Sequence, residues 1–144
     1  MRAVLQRVSR AAVRVDGRVA GEISGGLLVF LGVAAGDAEA AADRLAAKIA
    51  KVRVFENAEG RFDRSLLDTG GAALVVSQFT LLADTGKGNR PSFAGAAEPE
   101  HAQELYDRFC AALGELGVTV ESGVFGARME VELVNDGPVT ITLG

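Results

Sequence analysis

Apolar and polar positions alternate through VRVDGRVAGEI (13–23), with Asp16-Gly17 at the break. A period of two puts successive side chains on opposite faces, so the stretch predicts two strands, and Asp-Gly between them predicts a tight hairpin. GGLLVFLGVAAG (25–36) is continuously apolar, as befits a strand covered on both faces; it predicts a third strand over 27–34. The period then changes. After Asp37, a good N-cap, DAEAAADRLAAKIAKV places Ala41, Leu45, Ile49 and Val52 in one apolar stripe, which predicts a helix. VRVFE (52–56) and AALVVSQFTLLA (72–83) predict strands, the second apolar enough to be central, with NAEGRFDRS as a loop between them. A second helix starts at Pro99 and stops before Gly117, with Leu105, Phe109, Leu113 and Leu116 inward. MEVELV (129–134) alternates again, and VTITL (139–143) closes the chain as a last strand. Strands outnumber helices and begin with hairpins. The expected class is α+β: one domain over 1–144, with a curved, mostly antiparallel, barrel-like sheet and two main helices.

Composition narrows the setting. The chain has 144 residues, 49% hydrophobic, with 18 glycines and no tryptophan, enough for one sizeable core. Its longest apolar run has 12 residues broken by four glycines, against about 20 needed to span a membrane as a helix. MRAVLQRVSR sets charge where an export signal needs apolar residues, so a cytoplasmic protein without membrane contact is expected. Cys110 has no partner for an internal disulfide, and with His101 it leaves too few ligands for zinc. Neither a metal nor a cofactor is expected. His101, in the first turn of the second helix, reads as a surface residue, and Cys110 as a small core residue.

The net charge of −4 speaks against a protein that coats nucleic acid. Its distribution is uneven, however. Arg2, Arg7, Arg10, Arg14 and Arg18 fall in the first 18 residues, opposed by Asp16 alone. Arg44, Lys48 and Lys51 form one stripe of the first helix. Solvated faces and phosphate grips both remain open readings of these groups.

Candidate chemistry concentrates in VSQFTLLADTGKGNRPSF (76–93). As a strand it would send Gln78 and Thr80 to one face and Ser77, Phe79 and Leu81 to the other. A polar Ser77-Gln78 pair in an apolar strand needs hydrogen-bond partners or a function. The polar loop after it carries Lys87, Gly88, Arg90 and Pro91 and suits an anionic ligand. No Ser–His–Asp or Cys–His set is available. The tail holds Asn135-Asp136-Gly137-Pro138 between two alternating stretches. These are turn residues, yet Pro138 against a strand removes one ladder hydrogen bond. The segment either turns the chain or presents its backbone to something.

SQFTL (77–81) with KGNRPSF (87–93), and NDGPVT (135–140), together resemble the D-aminoacyl-tRNA deacylase family. The resemblance runs over essentially the whole chain, through LQRVSRAAVRVDG, GLLVFLGV, FENAEG, LYDRF and FGARM. One departure is GRFDRS (60–65), where many relatives carry methionine and asparagine at the positions of Phe62 and Asp63. The resemblance implies hydrolysis of the ester between a D-amino acid and the terminal ribose of tRNA; steric exclusion of L side chains would leave glycine, which has none, a substrate as well. It implies Ser77, Gln78, Phe79 and Thr80 as site-forming residues, with Arg90, Pro91 and Asn135 as secondary candidates. Gly137-Pro138 would be a cis peptide whose carbonyls face the amino acid and exclude L side chains. It implies a homodimer in which each Gly-Pro loop enters the partner's site, with aminoacyl-tRNA as the other partner.

From the residues alone, two further classes stay open. One is a non-catalytic tRNA-end binding module that uses the arginines and the 84–93 loop. The other is a small structural homo-oligomer whose Gly-Pro loop only exchanges between subunits.

Overall fold

In the computed structural model, which describes residues 1–144, strand β1 (Arg2–Val15) organises the sheet. Its first half pairs antiparallel with β3 (Gly26–Gly32), and its second half with β2 (Arg18–Ile23) across the Asp16-Gly17 hairpin. The last strand of the chain, β8 (Glu130–Leu143), pairs antiparallel with β1 from Ala3 to Arg14. Residues of β1 that pair with β8 also pair with β2 or β3, so β8 must occupy the opposite edge of β1. Beyond β3 the sheet changes sense. β6 (Ala72–Ser77) runs parallel to β3, and β7 (Thr119–Ser122) runs parallel to β6. Parallel neighbours need crossover connections. The first crossover is α1 (Glu39–Lys51), a hairpin of β4 (Phe55–Glu56) and β5 (Phe62–Arg64), and α2 (Leu66–Thr69); the second is α3 (Pro99–Glu115). Curvature brings Gly21 of β2 against Ser122 of β7, so the mixed sheet nearly closes into a barrel.

Alternation on β3 and β6 explains the layering. Leu27, Val29, Leu31, Ala73 and Val75 face α1 and α3, where they meet Ile49, Phe109 and Leu113. Leu28, Leu74 and Val76 face inward and pack with Val8, Val13 and Ile23. Both faces of these two strands are dry, which is why their sequences run apolar without a break.

The expected class and both main helices are present, with local differences. α1 starts two residues after Asp37, whose carboxylate accepts the Ala34 N–H at 2.7 Å and does not cap the helix. Its buried face is Ala42, Ala46, Ile49 and Ala50; Leu45 and Val52 are half-buried at the margin. Small side chains at the contact let α1 lie close to α3, where Arg108 Nε donates to Asp43 at 2.7 Å. VRVFE keeps two strand residues, Phe55 and Glu56, because only these find a partner strand, in β5. NAEGRFDRS holds the short strand β5, and a Ser65–Asp68 capping box starts α2 directly after it. Leu116 is 38% exposed, since α3 has ended and Gly117 turns the chain away. The two closing strands are one: β8 continues through Asn135-Asp136-Gly137-Pro138. No helix is long and apolar enough to cross a membrane.

Candidate active site

β6 does not continue to residue 83 as the alternation suggests. Its pairing with β3 ends at Ser77, the Gln78 N–H donates to Leu31 O at 2.8 Å, and Phe79–Leu82 coil into a 3-10 turn. The turn closes through Leu81 N–H to Gln78 O and Ala83 N–H to Thr80 O, both 3.1 Å. It can form because residue 32 is glycine. A Cβ there would stand 2.6 Å from Leu82 Cδ2 and 3.1 Å from Gln78 O. Arg2 secures the far side by donating from Nη1 to Leu81 O at 3.0 Å.

The turn exposes what a strand would have alternated. Phe79 is 57% exposed and meets Phe93 edge-on, with ring centroids 4.9 Å apart. Gln78 Nε2 donates to Thr80 Oγ1. No ionisable side chain is hydrogen-bonded to that hydroxyl. Ser77, Gln78 and Phe79 form one wall of a cleft of about 610 Å³; Phe93, Phe125 and Met129 are among the residues opposite. Glu98, at the start of α3, is the one ionisable side chain lining it. His101 is committed elsewhere, its Nε2 lying 2.7 Å from Asp37 O. Burial pushes the Cys110 thiol up to about 11, so it stays protonated, as a small core residue would. Burial also raises the Tyr106 hydroxyl, which donates to Val75 O at 2.7 Å. None of these groups is an activated nucleophile.

Gly137-Pro138 occupies a different structure. β1 pairs Gln6 with Thr140 and then Val8 with Asn135. Asp136 to Val139 therefore stand opposite Arg7 alone and are pushed out of the ladder as a wide bulge. Asn135 pinches its base, with Nδ2 donating to Arg7 O and to Val139 O, both at 3.0 Å. Arg7, 6% exposed, holds it from beneath. Its Nε donates to Asp136 O at 3.2 Å, Nη1 to Val54 O at 2.8 Å and Nη2 to Glu56 Oε1 at 3.3 Å. Phe62 lies with its ring against the guanidinium, the centroid 5.8 Å away. Gly137 has φ +126°, and a Cβ on it would lie 2.8 Å from Val139 Cγ2 and 3.0 Å from Arg7 Nη2. The Gly137–Pro138 peptide is cis and both residues are exposed.

Within one chain, then, the structure unites Ser77, Gln78 and Phe79 at the cleft, with Thr80 exposed beside them, and sets Asn135, Gly137 and Pro138 outside its lining. Arg90 and Pro91 are exposed on a loop closed by mutual 2.8 Å hydrogen bonds between Asp84 and Ser92; neither lines the cleft. The sequence offers Arg7 only as one of several basic residues, not as a support of the bulge, although a signal exists. It shares the strand phase of Ala3 and Leu5, both buried, so β1 carries a charge on its helix-facing side. Phe93 and Phe125 left no comparable signal.

The chain matches the model of the D-Tyr-tRNA(Tyr) deacylase family over residues 4–144. It is 59% identical to the D-aminoacyl-tRNA deacylase of Deinococcus radiodurans over 99% of both chains. Against that of Roseiflexus castenholzii it is 62% identical, over 99% of this chain and 91% of the other. Among solved structures, the c-Myc DNA unwinding element binding protein superposes with a TM-score of 0.95 at 39% identity, covering 100% and 98% of the two chains. A probable eukaryotic D-amino acid tRNA deacylase shares the fold, with a TM-score of 0.85 at 18% identity over 99% and 97%.

Arg7 is expected to govern the order of the bulge. Arg7→Ala leaves Val54 O and Asp136 O without their donors and should lower stability by about 1–3 kcal/mol. Arg7→Lys keeps the charge but loses the planar fork, so it should loosen the bulge too. Backbone NMR order parameters read this directly, as lower values at Asp136, Gly137 and Val139 in both variants. Unchanged order there would show that Asn135 alone holds the bulge.

Proposed function

The chain belongs to the D-Tyr-tRNA(Tyr) deacylase family and is a hydrolase that acts on D-aminoacyl-tRNA; we propose that it selects its substrate by excluding L-amino acids with the Gly137-Pro138 backbone. The observation that carries this reading is a cleft without an activated nucleophile, in a chain that also displays a backbone loop pinned at three points. The ester is already activated by its neighbouring ammonium group, so positioning and polarisation suffice. Backbone N–H groups of Phe79 and Thr80, at the start of the 3-10 turn, would act on the developing oxyanion, each worth about 10²–10³ in rate. The apolar cleft, with Phe79, Phe93 and Phe125 around it, suits the base of the terminal adenosine. The 2′-hydroxyl of that adenosine assists the attacking water. Thr80 then forms the site without becoming acylated, because no base is positioned to take its proton.

Selection by backbone has a physical rationale. Sparing L-aminoacyl-tRNA by a factor of about 10⁴ requires roughly 5.5 kcal/mol. A side-chain pocket gains only about 1–3 kcal/mol per methylene and would have to accept many different side chains. A wall of carbonyl groups is indifferent to side-chain identity. It takes the ammonium group and leaves no room for a substituent on the L side.

The loop reaches a cleft in a homodimer. Gly137-Pro138 is exposed, lies on strand β8, whose outer edge pairs with no strand of its own chain, and does not line its own cleft. Each loop would serve the partner's Ser77–Thr80 segment.

Three outcomes are expected. D-tyrosyl-tRNA and glycyl-tRNA are both hydrolysed, glycine having no substituent to clash, while L-tyrosyl- and L-alanyl-tRNA are spared. If glycyl-tRNA resists as firmly as L-alanyl-tRNA, selection needs a D side chain and the steric account fails. Thr80→Ala retains D-specific turnover within about tenfold, the size of one neutral hydrogen bond; loss on the order of 10⁶, as for a removed nucleophile, would mark Thr80 as covalent. Mixed dimers of Gly137→Ala with Gln78→Ala subunits recover activity that neither parent shows, since one of their two sites is intact. A monomer fully active at low concentration would disprove the shared site.

A further inference from the structure

The two basic groups visible in the sequence have different fates in the fold. Of the N-terminal arginines, Arg7 is buried and Arg2 is bound to Leu81 O. Arg10 and Arg14 share Glu132, at 2.7 and 3.2 Å. Arg18 is left as a single exposed charge at the hairpin. That group offers no continuous cationic surface.

The α1 stripe is different. Arg44, Lys48 and Lys51 are exposed, and none is paired with a carboxylate. They extend along about 10 Å of helix. The chain then passes directly into the β4–β5 hairpin, which adds exposed Arg53, Arg61 and Arg64. Arg61 is also unpaired, and Arg53 meets Asp63 at 3.7 Å. From residue 44 to 64 there are six basic and three acidic side chains, a local excess of +3 on a chain of net charge −4. Other unpaired cations, Lys87, Arg90 and Arg128, sit on separate segments.

This surface is coupled to the bulge. The Arg7 guanidinium spans from Val54 O and Glu56 on the hairpin strand to Asp136 O on the bulge, so the hairpin and the Gly-Pro loop lie one side chain apart. We propose that the exposed face of α1 and the β4–β5 hairpin bind the phosphate backbone of the tRNA acceptor arm. The proposal rests on the deacylase reading, in which the loop sits over the aminoacylated end. On that reading the hairpin, one side chain away from the loop, stands beside the aminoacylated end, within reach of the arm's phosphates. Lysines on flexible stems suit phosphates whose position shifts among tRNA species, since they act as point charges without a fixed geometry. An acidic protein partner is the competing occupant.

The test compares the wild-type dimer with Lys48→Gln/Lys51→Gln and, separately, Arg61→Gln, all at exposed positions. Binding of uncharged tRNA is measured by fluorescence anisotropy from low to high salt. Hydrolysis is measured on D-tyrosyl-tRNA and on D-tyrosyl-adenosine, which lacks phosphates. The expected result is a salt slope shallower by about 0.7–0.9 for each phosphate contact removed. KM for D-tyrosyl-tRNA rises several-fold with kcat unchanged, and D-tyrosyl-adenosine is hydrolysed as by wild type. An unchanged slope and KM would overturn the proposal and leave the surface solvated or facing an acidic protein. Equal losses on both substrates would overturn it as well, by locating the effect in the cleft. If wild type hydrolyses neither substrate, the deacylase reading falls, while the binding slopes still decide whether this face grips RNA.

Discussion

A guanidinium buried in a sheet must have its charge and its donors satisfied, and Arg7 meets that requirement with three groups from two segments distant in sequence. Val54 comes from the chain leaving α1, Glu56 from β4 and Asp136 from the bulge of β8. Arginine suits the task because its rigid fork donates in several directions within one plane. The consequence is geometric. Asp136 to Val139 would otherwise be a free loop, and loops without contacts are mobile. Tied to Arg7 and pinched by Asn135, these residues hold one arrangement of their carbonyl groups. Discrimination by backbone needs that rigidity, because a wall that yields discriminates nothing.

The sheet makes the arrangement possible. β1 pairs along its length with β8 on one edge and with β2 and β3 on the other, so it transmits position between elements far apart in sequence. The slip in register around Arg7 ejects the four residues of the bulge while the ladder continues on both sides. Elsewhere in the sheet, the parallel pairing of β3 and β6 ends at Leu31 and Ser77, and the chain coils at once into the 3-10 turn. Both features are interruptions of regular strands. Each leaves backbone groups outside the ladder, and in the proposed mechanism these groups would act on the ester, the cleft itself having little ionisable chemistry.

The division of labour follows from the substrate. Everything common to aminoacyl-tRNA, the terminal nucleoside and the ester, suits a preformed apolar cleft with polar backbone at one wall. The variable part, the amino acid side chain, calls for no pocket at all. In the proposed mechanism, separating the two on different segments would let chirality be tested without reference to side-chain chemistry.

The amino-acid sequence by itself determined much of this. Asp16-Gly17 in an alternating stretch marked the first hairpin, Pro99 marked the start of α3, and the unbroken run at 27–34 marked a strand buried on both faces. SQFTL and NDGPVT together pointed to the family because two of its signatures stand in order and at matching separation. Tertiary structure alone decided the rest. Residues 78–83 alternate well enough to be strand, yet they coil, because the partner strand β3 has ended at Gly32 and Leu82 packs over that glycine. Asn135-Asp136-Gly137-Pro138 has the chemistry of a turn, yet the chain goes straight on, because β1 offers a ladder on both sides of it. Local sequence states what a segment can adopt, and the length and register of its neighbours select among the options. Arg7 lies between these cases. Its inward phase was legible, but its partners at 54, 56 and 136 are separated from it by 47 to 129 positions, and only the folded chain brings them within reach of one side chain.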